Sequence, residues 1–359
     1  MSNKFSGVSP LISLFLFVSL PFLPGCSGGA GASDPASQHA EAAPVPTTPT
    51  DAPTTQPTVA PNTVRTTPVL TAGLSIGVFS GGSNPTAAAK FETWLGRKSD
   101  FNVDFFSDTE YTGSDPLAGS AGWDIGVWAG ANRPDRNMLF SVPLSTLQDP
   151  SLKNVANGLY DAQYQQVAKS VAAHYPNAII RIGWEFNGNW YPWAAQGKTA
   201  DYINAFRRVS KIFTSVSPTF TIDWCPGIGS LYVPAENAYP GDDVVDVIGL
   251  DAYEDWSYSP NADPVQRWNY FRDQDHGLAW HQQFAALHGK PMSFPEWGVN
   301  HDDSYFMQQM YSWITTNRVI YASYWSSNAG FAGDLASLQY PGASATYKGL
   351  FSTIPLSHH

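Results

Sequence analysis

The feature that most constrains this 359-residue chain is a rhythm that begins near residue 72. Short apolar runs alternate with amphipathic stretches: LSIGVF (74–79), VDFF (103–106), MLFSVPL (138–144), AIIRIG (178–183), TFTIDW (219–224), VVDVIGL (244–250), PMSF (291–294) and VIYASYW (319–325). Near-continuous apolar runs of this length read as strands covered on both faces, as in parallel sheets. Helical spacing lies between them at about 85–97, 159–175, 199–215, 264–288 and 303–317. Eight strands alternating with helices predict α/β architecture, a single (β/α)8 TIM barrel filling a domain of residues 71–359. A doubly wound open sheet is the competitor. It is disfavoured because neither GxGxxG nor GxxxxGK[ST] follows any strand.

Two segments precede the barrel. Residues 1–26 carry Lys4, an apolar run from about Leu11 to Leu23 and the ending LPGC. The run is shorter than the ~20 residues that span a bilayer, so it reads as a secretory signal peptide. The LPGC ending resembles a bacterial lipoprotein signal, which makes Cys26 the expected site of an N-terminal lipid. Cleavage without lipidation is the alternative. Residues 27–70 are Ala, Pro, Thr, Ser and Gly, as in VPTTPTDAPTTQPTVAP, too poor in apolar surface to offset their ordering entropy. They are expected to be a disordered tether. The domain is thus expected to be extracytoplasmic, membrane-anchored only through that lipid or else secreted, and monomeric.

Charge and aromatic content narrow the partners. The formal net charge is -11, which disfavours nucleic acid, whose phosphates need Lys and Arg. Thirteen Trp, 17 Tyr and 20 Phe favour a ligand with flat apolar faces, such as a sugar, although cores also consume aromatics. With Cys26 in the signal, only Cys225 remains and no disulfide can form. His276 and His281 lack the HExxH spacing and there is no CxxC pair, so neither metal nor cofactor is expected.

In a barrel of this kind, residues just past the strands' C-terminal ends share one face, and that face carries the chemistry. The fourth strand runs into RIGWEFNGNWYPW (181–193), which places Glu185 among five aromatic residues. The seventh ends in GKPMSFPEWGV, which places Glu296 on the same rim. Paired carboxylates across a barrel mouth suit glycoside hydrolysis, one as proton donor and the other as nucleophile or base. Trp184, Phe186 and Trp190 supply an apolar setting that would keep Glu185 protonated. Asn187 offers hydrogen bonds to sugar hydroxyls, and Trp190, Tyr191 and Trp193 offer ring faces. Tyr253 and Trp325 close strands six and eight.

The stretch RIGWEFNGNWYPW resembles the strand-four signature of glycoside hydrolase family 26, in which Arg, a His-Glu pair, Asn-Gly and a following Trp surround the acid/base. The resemblance continues through ANGLYD, DWCPG, YPGDDVVDVIGLDAY and KPMSFPEWG, across about residues 74–330. It implies a retaining (β/α)8 endo-glycanase acting on β-linked mannan, xylan or glucan, with Glu185 as acid/base and Glu296 as nucleophile. It also implies that Trp190, Tyr253 and Trp325 line the sugar subsite beside the scissile bond. This chain departs from the family at Trp184, where His is usual; an indole keeps one N–H donor and adds a stacking face, so Trp184 is a candidate substrate contact and the sugar is left open.

Each residue also has a plainer reading. Glu185 is four residues from Arg181 and would make a buried ion pair with it. Arg181 and Asp251 suit internal hydrogen bonding, Cys225 suits packing atop strand five, and Glu254 and Asp255 suit a solvated loop. Trp193 and Trp297 divide between core and sugar platform. As a whole, the domain would otherwise be a non-catalytic glycan-binding lipoprotein, or a transglycosylase that remodels an exported polysaccharide.

Overall fold

The computed structural model describes residues 73–131, 136–258 and 263–357. The residues read as signal peptide (1–26) and linker (27–70) lie outside them. Every strand expected from the apolar runs forms: β1 (Ser75–Phe79), β2 (Phe101–Phe105), β3 (Asn137–Val142), β4 (Ile179–Ile182), β5 (Thr221–Trp224), β6 (Val247–Gly249), β8 (Met292–Val299) and β9 (Val319–Trp325). They pair in parallel in that order. The β6–β8 and β1–β9 pairings close the ring into an eight-stranded barrel. A short additional strand, β7 (Ala252–Glu254), continues past β6 and pairs with the upper end of β8.

Helices wrap the barrel: α1 (Pro85–Leu95), α2 (Leu117–Gly130), α3 (Leu152–Ala156), α4 (Asp161–His174), α5 (Thr199–Val216), α6 (Pro264–Asp273), α7 (Leu278–Leu287), α8 (Ser304–Thr316) and α9 (Pro341–Phe351). Between β5 and β6 the helix is reduced to a single 3-10 turn, Ala235–Ala238. The stretch expected as one helix over 264–288 is broken into α6 and α7 at Gln274–Gly277, where His276 takes a positive φ of 54°.

The strands' alternation sorts their side chains into two layers. Val78, Phe140, Ile180 and Ile222 point outward into the large core beneath the helices. Phe79, Phe101, Val103, Leu139, Ile179, Val247 and Tyr321 fill the barrel interior. Above that apolar floor the interior turns polar. Asp223 on β5 accepts hydrogen bonds from Ser293 on β8 (2.5 Å) and from Tyr321 on β9. Burial of Asp223 pushes its carboxyl up to about 6. Gly249 on β6 is required here: a Cβ would sit 2.5 Å from Asp223 Oδ1.

Candidate active site

One irregularity aims Glu296. Phe294 pairs with Ala322 and Trp297 pairs with Tyr324, so three steps on β8 oppose two on β9. The extra residue lies at Pro295–Glu296, and proline, which has no N–H to donate, suits a bulge. A one-residue slip reverses which face each side chain takes. Ser293 therefore faces the interior and Phe294 the helices. Beyond the bulge Glu296 turns inward again, while Trp297 packs outward on Tyr347 and Phe351 of α9.

Glu185 is held by a strained turn. β4 exits through Gly183 (φ 51°), and Glu185 itself has φ 48°. A non-glycine residue there persists only where its surroundings over-determine it. Glu185 N–H donates to the Cys225 carbonyl (2.8 Å), and the Glu185 carbonyl accepts from Gly188 N–H (2.9 Å). The Asn187 side chain fastens the same turn to the loop after β5. Its Nδ2 donates to the Gly227 carbonyl and its Oδ1 accepts from Gly227 N–H, both at 2.8 Å.

Arg181, fully buried on β4, organises the carboxylates. Its Nη1 donates to both oxygens of Asp251 at 2.8 Å. Its Nη2 meets Glu296 Oε1 at 2.5 Å, and Nε and Nη2 both reach Ser141 Oγ. The other Glu296 oxygen accepts from the Tyr253 hydroxyl at 2.5 Å. Arg181 thus pairs with Asp251 and Glu296, and the sequence alternative of a simple Glu185–Arg181 pair is not what forms. Glu185 receives one bond, from Trp190 Nε1 to Oε2 at 2.8 Å. Its carboxyl is pushed up from 4.5 to about 7, first by burial and next by repulsion from Glu296; the Trp190 bond and the Arg181 charge oppose this. Two neighbouring carboxylates therefore have distinct settings, one ion-paired and the other desolvated.

The structure brings Glu185, Glu296, Trp190 and Tyr253 together and relocates other candidates. Trp190 is 40% exposed and offers its ring to solvent. Asn187 is buried with both ends of its amide engaged, so it positions the turn instead of meeting sugar hydroxyls. Trp184, only 3% exposed, also departs from expectation. Its Nε1 donates to the Tyr191 hydroxyl (3.0 Å), and its ring packs on Phe105, Trp193 and the Arg181 guanidinium. It forms the wall behind the glutamates, not an open stacking face. Trp325 is largely buried, stacked on Phe79 at 4.0 Å, with Tyr253 against it edge-on. Trp193 and Trp297 are core. Cys225 is buried at the top of β5. Glu254 is buried and ion-paired to Arg267 and His301, not solvated as its acidic neighbourhood suggested. Sequence reasoning gave no role to Ser141, since a serine inside a strand carries no signal of its own, and it offered Tyr191 as a ring face where its hydroxyl instead accepts from Trp184.

Residues 146–272, which include Glu185 and Tyr253, fit a protein-family model. The match is to glycosyl hydrolase family 26. A curated relative, Endoglucanase H of Acetivibrio thermocellus, is 29% identical over 192 residues, which is 49% of this chain. The chain spans only a fifth of that relative's length, 20%. Among solved structures, a double mutant of the Cellulomonas fimi endo-β-1,4-mannanase superposes with a TM-score of 0.56 at 18% identity, over 80% of this chain and 74% of that one. Bacillus subtilis mannanase man26 gives 0.54 at 17% identity, over 76% and 84%. These likenesses agree with the barrel built up from the strands, and the family-26 resemblance read from the sequence is carried by the model match from just before α3 into α6.

Proposed function

We propose that the domain is a retaining glycoside hydrolase that cleaves β-linked polysaccharide, with Glu185 as acid/base and Glu296 as nucleophile. The observation that carries this reading is the contrast between the two glutamates: Glu296 is tied to Arg181 and Tyr253, while burial and the Glu296 charge drive Glu185 to about 7. A carboxyl that keeps its proton beside one that is ion-paired suits acid and nucleophile roles. In the first step a Glu296 oxygen bonds the anomeric carbon, the glycosidic C–O bond breaks, and the Glu185 proton passes to the departing oxygen. In the second, Glu185, now a carboxylate, takes a proton from water as the water oxygen displaces Glu296. Arg181 and the Tyr253 hydroxyl hold the Glu296 side chain in place for attack.

The activities named for the relatives, a mannanase and an endoglucanase, favour internal cleavage of a β-linked mannan or glucan. Trp184, walled in where the family usually has His, leaves the choice of sugar to experiment. The LPGC and Pro/Thr-rich segments favour a surface-tethered enzyme working on an extracellular polymer. The test is product release from mannan, β-1,3-xylan and mixed-linkage glucan by the full chain, beside Glu185→Gln and Glu296→Gln. Release from at least one polymer, with loss of several orders of magnitude in both variants, is expected. A glutamate variant with full activity would refute the assignment. Binding without release by the parent chain would support the glycan-binding alternative.

A further inference from the structure

Past Glu296, β7 and β8 run on together beyond the barrel rim, with Tyr253 opposite Gly298 and Glu254 opposite Val299. Just past their ends lies an open hollow of about 440 Å³ lined by Asp255, Trp256, Asn300 and His301 among others. Trp256 is 41% exposed, yet its ring has packed neighbours. The Arg267 guanidinium lies 4.8 Å from its ring and the His301 ring 4.8 Å away at 53°. Its backbone N–H donates to Asn300 Oδ1 at 2.9 Å.

The support beneath is a closed set of charges. Arg267 pairs with Glu254 (3.3 Å) and with Asp303, and His301 meets Glu254 at 3.0 Å and Asp303 at 3.5 Å. Two cations face two carboxylates, so these four side chains balance one another. Burial lowers the proton affinity of His301, but bonds to Asp303 and Glu254 outweigh it and bring its pKa up to about 9. The imidazolium is therefore a fixed part of the support at neutral pH. The reaction assigned to Glu185 and Glu296 gives these residues no role. A rigid, half-exposed indole beside amide and carboxylate groups suits the C–H face of a pyranose ring with its hydroxyls at the edge. It is pre-ordered, which lowers the entropic cost of binding.

We propose that Trp256, with Asn300 beside it, is a distal sugar-binding platform that grips a unit of the polysaccharide remote from the bond cleaved. This rests on the glycan reading above. Chains too short to reach from Glu296 to Trp256 would gain nothing from it.

The test uses affinity electrophoresis of the full chain carrying Glu296→Gln, in native gels containing galactomannan, mixed-linkage β-glucan or β-1,3-xylan. Adding Trp256→Ala should weaken retardation by the preferred polymer about five- to tenfold, and Trp256→Phe should restore most of it. In the otherwise unaltered enzyme, Trp256→Ala should raise KM on that polymer and leave kcat/KM on a short aryl glycoside unchanged. Equal retardation with and without Trp256→Ala, in a gel that retards the parent, overturns the platform and leaves the hydrolase reading intact. A matching loss on the short glycoside overturns it too, because it would show Trp256 only supporting the fold. No retardation by any polymer, together with no product release by the wild-type chain, sinks the glycan reading and the platform with it.

Discussion

Replacing Trp190 with Phe should move the pH profile of the enzyme in a direction fixed by one hydrogen bond. Trp190 Nε1 donates to Glu185 Oε2 at 2.8 Å. A donor to a carboxylate favours the charged form and holds the proton affinity down. Phenylalanine keeps an aromatic ring and removes the donor, so the Glu185 carboxyl should rise above its present value of about 7. A hydrogen bond to a charged group contributes about 1.5–3 kcal/mol when shielded, and Trp190 is 40% exposed, so roughly half applies. At 1.36 kcal/mol per pH unit this gives a shift of about 0.5–1 unit. Because the acid must be protonated in the free enzyme, the alkaline limb of kcat/KM should move upward by that amount. The height of the profile will also fall if Trp190 meets sugar, but a uniform loss does not move the limb. The assay is kcat/KM against pH from 5 to about 9 for wild type and Trp190→Phe on the same substrate. A limb that stays in place, or moves down, would refute the assignment of Glu185 as the titrating acid.

Two further outcomes test the surroundings. Asp124 on α2 accepts from Ser83, which also bonds Asp104, and burial together with repulsion from Asp104 brings Asp124 up to about 7 from 3.8. The folded state therefore holds a proton that the unfolded state has lost between about pH 4 and 7, and this stabilising contribution fades as pH rises through that window. Asp124→Asn should be more favourable at pH 8 than at pH 5 by on the order of 1–3 kcal/mol, read from urea midpoints at the two pH values. Asn187→Ala should cost about 2–4 kcal/mol of stability, because it strands a buried N–H and a buried carbonyl of Gly227. At a temperature where that variant is folded, its KM should stay within about twofold of wild type, whereas a sugar contact would raise it further.

The barrel was legible because its strands are apolar and β-rich on both faces, a pattern that solvent-facing segments do not imitate. The helices α2 and α9 were hidden because LAGSAGWDIGVWAG and PGASATYKGLF are sprinkled with glycine, which costs about 1 kcal/mol each in a helix. Packing on the barrel overrides that local preference. At the site, Glu185 and Glu296 stood out as carboxylates at strand ends. The roles of Asn187, Trp184 and Glu254 were not visible, since a polar or aromatic residue in a loop looks the same whether it faces sugar or the interior. Burial and partners separate the two, and they depend on the Tyr191 hydroxyl one loop turn away and on the Gly227 backbone and His301, which are distant in sequence. The β8 bulge that turns Glu296 inward and Trp297 outward is likewise a property of pairing with β9.

The division of labour between the two glutamates can be read directly from a trapped intermediate. Incubating the full-length enzyme with a 2-deoxy-2-fluoro glycoside of the preferred sugar, carrying a good leaving group, should trap the glycosyl-enzyme. Peptide mass spectrometry then locates the added mass. A single label on Glu296 is expected, in the peptide that contains SFPEWG. A label on Glu185, or no label from an enzyme that releases product of inverted anomeric configuration, would contradict it.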